Sequence, residues 1–373
     1  MEKTLLSYNM SAKFMIVAGA RPNFMKIAPL IKQLKTQRID FRLIHTGQHY
    51  DYNMSKIFFD NLDIPKPHYF LNAGSGSHAE QTAKIMIEFE KVLINEIPNL
   101  IIVVGDVNST IACALVAKKL YVDVAHVEAG LRSFDRRMPE ELNRILTDQL
   151  SDFLFTTERS AEVNLKREGI DTDKIYFVGN IMIDNLIMNL EKANSLDYYK
   201  KYNLKKNDYA LVTIHRPSNV DTLADLSKIV EILNYTQERI KIIFPMHPRT
   251  KKNLKKYNLM VDTKKENIII IDPIGYNQFL SLMLNSKLIL TDSGGIQEES
   301  SYLKIPILTL RENTERPITI EKGTNTLVGT DFNKLKINLE KILSNSYKKG
   351  QDIEKWDGNT AKRIVDILKE KLD

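Results

Sequence analysis

The segment KLILTDSGGIQEESSYLK, residues 287–304, has the pattern of one repeat of a parallel α/β sheet. An apolar run is followed by a polar turn with two consecutive glycines, and then by a segment that can form a helix. Because glycine has no side chain, the backbone N–H groups of such a turn can approach a ligand, and the N-terminus of the helix favours an anion. The segment therefore predicts a strand, a turn and a helix that together bind phosphate.

Similar strand candidates recur along nearly the whole chain, and longer amphipathic segments separate them. This alternation is typical of repeated βα units and parallel sheets. The predicted strands occupy residues 13–19, 41–47, 100–106, 122–128, 152–157 and 174–180 in the first half and residues 208–215, 240–247, 267–273, 287–293 and 305–310 in the second. A chain of 373 residues is too long for one ordinary core. We therefore predict an α/β protein with two doubly wound domains whose strand ends face a shared cleft.

The boundary between the domains is predicted near residue 185. A helix-like segment there is followed by a polar connector rich in lysine and tyrosine, without a strand signal. The predicted domains are residues 1–185 and 186–373. The closing segment WDGNTAKRIVDILKEKLD predicts a terminal helix over about 357–373, which could pack back on the first domain.

The composition is that of a soluble globular protein, with 43% hydrophobic and 27% charged residues. No window approaches about eighteen uninterrupted apolar residues, and the first residues do not resemble a signal peptide, so we expect a cytoplasmic protein without a membrane partner. The 53 basic residues are scattered among 47 acidic ones, so nucleic acid is not an expected partner. Cys113 is the one cysteine, which excludes an internal disulfide and indicates a small core residue.

Polar residues follow the predicted strands of the first half, where ligands bind in open α/β sheets. Arg21 and Lys26, in GARPNFMK, stand at a turn into a helix, and an arginine beside free backbone N–H groups favours phosphate or carboxylate. Gly19 and Pro22 could instead serve only to shape that turn. Asp106, in GDVNST, could be a base or a turn residue.

Glu128 lies two residues after His126 in HVEAGLRS, so both side chains should share one face of a strand. A partly buried carboxylate at a strand end suits proton transfer. The alternative, nearly as strong from spacing alone, is a structural salt bridge between Glu128 and Arg132 or Arg136.

Glu140 and Glu141 begin a predicted helix after Pro139, where acidic side chains offset the positive helix terminus. One of these two carboxylates could be available for another task. In the second half, His215 and His247 follow strands, but neither has a partner at the spacing of a zinc site.

Glu298 and Glu299 lie one turn inside the helix that follows the glycine turn. Because neighbouring helical residues diverge by about 100°, the two carboxylates cannot share one task. One can accept hydrogen bonds from sugar hydroxyls, as acidic residues do for a ribose, and the other points to solvent or to a salt bridge. The chain has no P-loop motif and no convincing dinucleotide-binding glycine motif, which disfavours an ATP-hydrolysing P-loop enzyme and an NAD-dependent dehydrogenase.

Taken in order, these segments resemble the motifs of the non-hydrolysing UDP-N-acetylglucosamine 2-epimerases. The resemblance runs from about residue 13 to residue 330 and rests on GARPNFMKIAPL, TGQHYDYNM, GDVNST, HVEAGLRSFDRRMPEELNR, HRPSN, HP, DSGGIQEESSYLKIP and TERP. One such motif would be weak, whereas the ordered set is specific.

The resemblance implies a GT-B-like fold of two Rossmann-like domains whose parallel sheets face a central cleft. It implies inversion at C2 of a UDP-sugar, in which anti elimination of UDP gives bound 2-acetamidoglucal and UDP then adds back to the opposite configuration. It also implies a homodimer, a role in polysaccharide biosynthesis, and neither a nicotinamide cofactor nor a metal.

Site residues follow from the same motifs. The resemblance implies four catalytic residues, with acid–base roles for the carboxylates and a place beside the departing diphosphate for the histidine: Asp106, Glu128, Glu140 and His215. It implies that eight others bind the sugar or the nucleotide: Arg21, Lys26, His247, Ser293, Gly294, Gly295, Glu299 and Arg316. Of the two neighbouring glutamates, the resemblance selects Glu299 for the ribose, a choice that geometry alone did not make.

Two regions depart from the family pattern. In HRPSN, Ser218 stands where the family commonly carries a glutamate. The arginines that serve activation by substrate in bacterial members are replaced by Tyr50 and Glu80. We therefore predict that this activation is absent or altered.

Other functions are compatible with parts of this pattern. RSFDRRMPEE also resembles the epimerases of UDP-diacetamido-glucuronate. A hydrolysing epimerase would release free N-acetylmannosamine and UDP, and glycosyltransferases share the same architecture. A pure binding protein would not require four acid–base side chains at strand ends.

Overall fold

The computed structural model describes residues 14–47, 59, 62–259 and 267–372. The chain divides into two compact units. The first domain contains the residues up to Asn185 and the segment from Asp357 onward, and the second domain is the continuous segment Leu186–Trp356. Within the described ranges, no helix combines the length and the apolar character that a membrane span requires.

The first domain is built on a seven-stranded sheet in which all strand pairs are parallel, with the order β3-β2-β1-β4-β5-β6-β7. The strands are β1 Phe14–Ala18, β2 Phe41–His45, β3 Tyr69–Phe70, β4 Leu100–Val104, β5 Asp123–Ala129, β6 Phe153–Thr156 and β7 Ile175–Phe177. The helices are α1 Arg21–Thr36, α2 His78–Asn95, α3 Asn108–Lys119, α4 Pro139–Leu150, α5 Arg159–Arg167 and α6 Ile181–Ser195, which runs across the domain boundary.

Both faces of this sheet are covered, as the nearly continuous apolar strands require. In β1, Phe14 and Ile16 pack in one core cluster, while Met15 and Val17 pack in the cluster on the opposite face. This alternation is the period of two that places successive side chains on opposite faces of a strand.

Helix α14, Thr360–Leu372, belongs to the first domain although it comes last in the described chain. Four of its apolar residues lie in the same core cluster as β1 and α1: Ala361, Ile364, Val365 and Leu368. Its start is fixed by Asp184, whose carboxylate accepts hydrogen bonds from the backbone N–H of Thr360 at 3.2 Å and of Ala361 at 2.7 Å.

The second domain has a six-stranded parallel sheet with the order β10-β9-β8-β11-β12-β13. Its strands are β8 Tyr209–Thr213, β9 Lys241–Pro245, β10 Ile268–Ile271, β11 Leu288–Thr291, β12 Ile307–Thr309 and β13 Asn325–Leu327. Its helices are α7 Pro217–Val220, α8 Leu223–Gln237, α9 Pro248–Lys256, α10 Tyr276–Leu284, α11 Gly294–Tyr302, α12 Ile318–Glu321 and α13 Phe332–Leu343.

Each of the predicted strands is present, usually with its ends shortened because the predicted segments included the residues that follow the strand. Two strands were missed. β3 has two residues and β13 has three, and both lie at sheet edges. Segments this short show no periodicity, and pairing with a longer neighbour stabilises them.

Both sheets reverse their strand order at one point, between β1 and β4 in the first domain and between β8 and β11 in the second. The carboxyl ends of strands beside such a switch point form the usual ligand crevice of an open α/β sheet. Most of the predicted site residues follow these four strands or the adjacent β5 and β9.

Candidate active site

Lys26 and Glu128 form an ion pair in the first domain, and both side chains are nearly buried. Lys26 lies on α1 and Glu128 lies on β5. Asn23 fixes the start of α1, because its Oδ1 accepts hydrogen bonds from the N–H of Gly19 and Ala20 and its Nδ2 donates to the carbonyl of Val104. The ion pair therefore joins two segments whose positions are set by the sheet.

Glu128 has a left-handed backbone with φ of 75°, and the pairing of β5 with β6 shifts register between Val127 and Ala129. This is a β-bulge, which re-aims a side chain. The expectation that Glu128 and His126 simply share one face of a regular strand is therefore wrong. The salt bridge of Glu128 is with Lys26, whereas Arg132 pairs with Asp148 and Glu168.

Arg21 is the first residue of α1. Its side chain lies outside the part of the chain that the structure describes, as do Gln48, His49 and Tyr50.

Asp106 follows β4 and forms an ion pair with Arg144 of α4. The Asp106 carbonyl accepts a hydrogen bond from Asn143 Nδ2 at 3.0 Å, so α4 holds both the backbone and the side chain of this residue. The carboxylate remains 28% exposed, whereas Arg144 is buried. Asp106 is thus a fixed carboxylate that a ligand can reach.

Glu140 and Glu141 have different environments. Glu141 is buried, and its carboxylate accepts hydrogen bonds from the backbone N–H of Ser133 and Phe134 and pairs with Arg144 at 3.0 Å. Glu140 is exposed and lines a cavity of about 260 Å³ together with Asp106. Glu141 therefore holds the preceding loop, and Glu140 is the carboxylate that faces open space. The other residues that line this cavity are Ser75, Gly76, His78, Gln81, Val107, Asn108, Pro139 and Asn143.

His126 of β5 and Asp148 of α4 form a fully buried pair. His126 Nδ1 lies 2.6 Å from Asp148 Oδ1, and His126 Nε2 lies 2.8 Å from the carbonyl of Gly105. Burial opposes the charged form of Asp148, but His126 and Arg132 hold the pKa of this carboxyl below its ordinary value. Sequence reasoning noted His126 and missed Asp148, which gave no signal beyond its place on a predicted helix.

In the second domain, Asp292 organises the turn that carries His215. The buried Asp292 carboxylate accepts hydrogen bonds from the N–H of His215 at 2.9 Å and of Arg216 at 2.8 Å, and from Asn219 Nδ2 at 3.1 Å. His215 Nδ1 lies 3.2 Å from Asp292 Oδ1. Although burial opposes ionisation, these donors keep the pKa of Asp292 below its ordinary value. Sequence reasoning did not assign this role to Asp292.

His247 and His215 come from different strand ends and lie side by side, with ring centroids 5.3 Å apart. His247 is the N-cap of α9, where its Nδ1 accepts a hydrogen bond from the N–H of Arg249. Among the described residues, no group of three or more His, Cys, Asp and Glu side chains is arranged to hold a metal ion.

Ser293, Gly294 and Gly295 form the turn into α11, with Ser293 as N-cap. They are half-buried, and the start of α11 has no side-chain cap. A Cβ added at Gly294 would lie 2.8 Å from Arg316 Nη1, so a larger residue here would displace the guanidinium. The predicted phosphate turn therefore has the expected local structure and a cation beside it.

Glu298 and Glu299 are both buried on α11 and have different partners. Glu298 Oε1 lies 2.9 Å from Arg316 Nε, and Arg316 Nη1 also pairs with Glu315 at 2.5 Å. Glu299 Oε1 accepts a hydrogen bond of 2.7 Å from the Tyr276 hydroxyl. Burial, together with the charge of Glu298, raises the pKa of Glu299 to about 7, although the Tyr276 hydrogen bond opposes the rise.

The structure shows the surroundings of Glu80 and Ser218, two residues that depart from the family motifs. Glu80 forms a capping box with Ser77 at the start of α2, in which Ser77 N–H donates to Glu80 Oε2 and Glu80 N–H donates to Ser77 Oγ. Ser218 is an exposed residue of α7, the short helix that begins at Pro217.

These features define a class of protein, namely two doubly wound α/β domains in the GT-B-like fold, with an acid-rich strand edge in one domain and a glycine turn beside an arginine in the other. A family model described as UDP-N-acetylglucosamine 2-epimerase matches residues 32–369. The chain belongs to this family, which is a family of isomerases. The predictions of the family, the fold class and an epimerase are confirmed.

Individual relatives agree with this assignment. The chain is 50% identical to the UDP-N-acetylglucosamine 2-epimerase of Methanocaldococcus jannaschii, over 95% of this chain and 98% of the relative. A crystal structure of the enzyme from that organism, in complex with UDP-GlcNAc and UDP, matches 96% of this chain and 99% of its own with a TM-score of 0.88 and 48% identity. The chain is also 42% identical to the UDP-2,3-diacetamido-2,3-dideoxy-D-glucuronate 2-epimerase of Pseudomonas aeruginosa, over 85% of this chain and 88% of the relative.

Proposed function

We propose that this protein interconverts UDP-N-acetylglucosamine and UDP-N-acetylmannosamine by inverting the configuration at C2. The proposal depends mainly on one observation, the placement of Asp106, Glu128 and Glu140 on segments that meet at the switch-point edge of the first sheet. Inversion removes a proton from one face of a carbon and returns a proton to the other face, so it requires more than one acid–base group.

The proposed reaction is an anti elimination followed by an addition. A carboxylate takes the proton from C2, the electron pair of that bond forms the C1=C2 double bond, and the C1–O bond breaks as UDP leaves. The diphosphate oxygen then bonds to C1 of the 2-acetamidoglucal while C2 takes a proton on the opposite face. No external oxidant or reductant is required.

The ion pair of Lys26 with Glu128 supports this scheme. The pair places a carboxylate beside an ammonium group, whose charge can stabilise negative charge on the substrate. We assign Arg21 and Lys26 to the diphosphate or to the sugar.

The nucleotide is assigned to the second domain. The N–H groups at Ser293, Gly294 and Gly295 are suited to phosphate, and His215, oriented by Asp292, is suited to assist the departing diphosphate. Glu299 is suited to accept hydrogen bonds from the ribose hydroxyls. Two further residues complete the proposed nucleotide site: His247 and Arg316. The family resemblance also leads us to propose a homodimer.

The decisive experiment is incubation with UDP-N-acetylglucosamine in deuterated buffer, followed by mass spectrometry and proton NMR of the products. We expect deuterium at C2 of both epimers and no accumulation of free UDP. Glu128→Gln should abolish the exchange. A wild-type enzyme that introduces no deuterium at C2 would refute the proposal.

A second substrate is favoured by the 42% identity to the diacetamido-glucuronate epimerase. The same incubation with UDP-2,3-diacetamido-glucuronate distinguishes the two candidate substrates, because deuterium should enter C2 rapidly only in the true substrate. Release of UDP at the pace of turnover would indicate a hydrolysing epimerase, and sugar transfer to an added acceptor would indicate a glycosyltransferase.

A further inference from the structure

His126 has a hydrogen-bond acceptor at each ring nitrogen. Nδ1 faces the Asp148 carboxylate at 2.6 Å, and Nε2 faces the Gly105 carbonyl at 2.8 Å. A carbonyl oxygen can only accept a hydrogen bond, and a neutral imidazole carries a single N–H. Both contacts are satisfied if the ring carries two protons, or if Asp148 carries one.

The surroundings of Asp148 favour an ionised carboxylate. Its Oδ2 accepts a hydrogen bond from the N–H of Gly130 at 3.1 Å and lies 2.7 Å from Arg132 Nη2. Arg132 in turn pairs with Glu168. With His126 as an imidazolium, this network contains two cations and two carboxylates, so its charges cancel, as buried charges require.

The network also joins the three chain segments that carry the proposed acid–base carboxylates. Gly105 directly precedes Asp106, and its N–H donates to the carbonyl of Val127 on β5. His126 lies on β5 two residues before Glu128. Asp148 lies on α4, the helix that begins with Pro139 and Glu140.

We propose that His126, as a buried imidazolium, is a positioning residue that sets the placement of Asp106, Glu128 and Glu140 relative to one another. This inference rests on the proposed function. His126 is fully buried, so we assign it no direct contact with the substrate. It acts through its two hydrogen bonds, one to the segment of Asp106 and one to the helix of Glu140, while its own strand carries Glu128.

The kinetic test compares two buried polar residues of the first domain. His126→Gln has one amide nitrogen in place of two ring nitrogens that face different acceptors, so the three segments lose their common anchor. We expect kcat to fall about 100-fold, since displacements near 1 Å have effects of this size. KM should change little, because most of the proposed nucleotide site lies in the second domain. The control is Asp184→Asn, which weakens the anchor of α14 and should reduce stability without changing kcat per folded molecule.

The spectroscopic test needs no turnover. In full-length protein labelled with ¹⁵N-histidine, His126 should show a proton on each ring nitrogen at neutral pH, identified by the loss of both signals in His126→Gln. An unprotonated ring nitrogen would overturn the inference. The inference would also be overturned if His126→Gln lost no more kcat than Asp184→Asn. This comparison applies when the wild-type enzyme is active. If the wild type exchanges no C2 proton in any UDP-sugar, the proposed function fails instead, and the positioning role fails with it.

Discussion

Replacement of Glu299 by glutamine should stabilise the protein at alkaline pH. Glu299 is buried and has a pKa of about 7 in the folded chain, and its ordinary value is 4.5. Glutamine has nearly the same shape and keeps an oxygen that can accept the hydrogen bond from Tyr276. It cannot ionise, so it removes the cost of a buried charge and leaves the packing in place.

The magnitude follows from proton binding. Between pH 4.5 and about 7, the folded protein holds a proton on Glu299 that the unfolded chain has lost. The free energy of unfolding therefore falls as the pH rises through this window. At about 1.4 kcal/mol for each pH unit, the full loss is about 3 kcal/mol. The Glu299→Gln protein should thus match the wild type near pH 4.5 and exceed its stability by up to about 3 kcal/mol at pH 8.

Chemical denaturation of both proteins at several pH values between 5 and 8 would measure this difference. Glu298→Gln is the matched control, because this neighbour is equally buried but pairs with Arg316 at 2.9 Å. Removing one partner of a buried ion pair typically costs about 3 to 5 kcal/mol, so this variant should be destabilised at pH 8. A Glu299→Gln stability difference that does not grow with pH would refute the reasoning.

Three further predictions concern the site. Glu140→Gln should lower kcat at least about 100-fold and leave the free energy of unfolding unchanged, as expected for an acid–base group. Glu141→Gln should instead lower the free energy of unfolding by about 1 to 3 kcal/mol, because the backbone N–H groups bound to Glu141 lose a charged acceptor. Kinetics and denaturation would show both effects, and equal effects of the two variants would contradict the assignment. Gly294→Ala should weaken UDP binding about tenfold in calorimetry, because the added methyl group would lie 2.8 Å from Arg316 Nη1. An unchanged affinity for UDP would argue against this turn as the phosphate site. Initial rates should depend hyperbolically on UDP-sugar concentration, because Glu80 replaces a motif arginine, and a sigmoidal curve would show that activation by substrate persists.

The sequence predicted the fold well because each strand or helix leaves a pattern within a short stretch of neighbouring residues. Alternation of apolar runs with amphipathic segments determined each long strand, and the rule that ligands bind beyond strand ends selected the candidate residues. Family motifs then distinguished Glu299 from Glu298, and the structure adds that Glu298 is engaged by Arg316.

Partners distant in sequence were not predictable in this way. Spacing suggested a nearby arginine for Glu128, whereas its partner is Lys26 of the first helix. That contact exists because β1, β4 and β5 are neighbours in the sheet and because a bulge at Glu128 redirects its side chain. Likewise, the link from His126 to Asp148 depends on how α4 packs against β5, which no local pattern describes.

The split first domain has a consequence for synthesis on the ribosome. The core that contains β1 also contains Ala361, Ile364, Val365 and Leu368, so it cannot be completed until these late residues have emerged from the exit tunnel. The second domain is one continuous segment, Leu186–Trp356, so its core needs no residue from a distant part of the chain. The first residues of β1 thus reach their final packing only after nearly the whole chain has been made, whereas the second domain carries no such requirement.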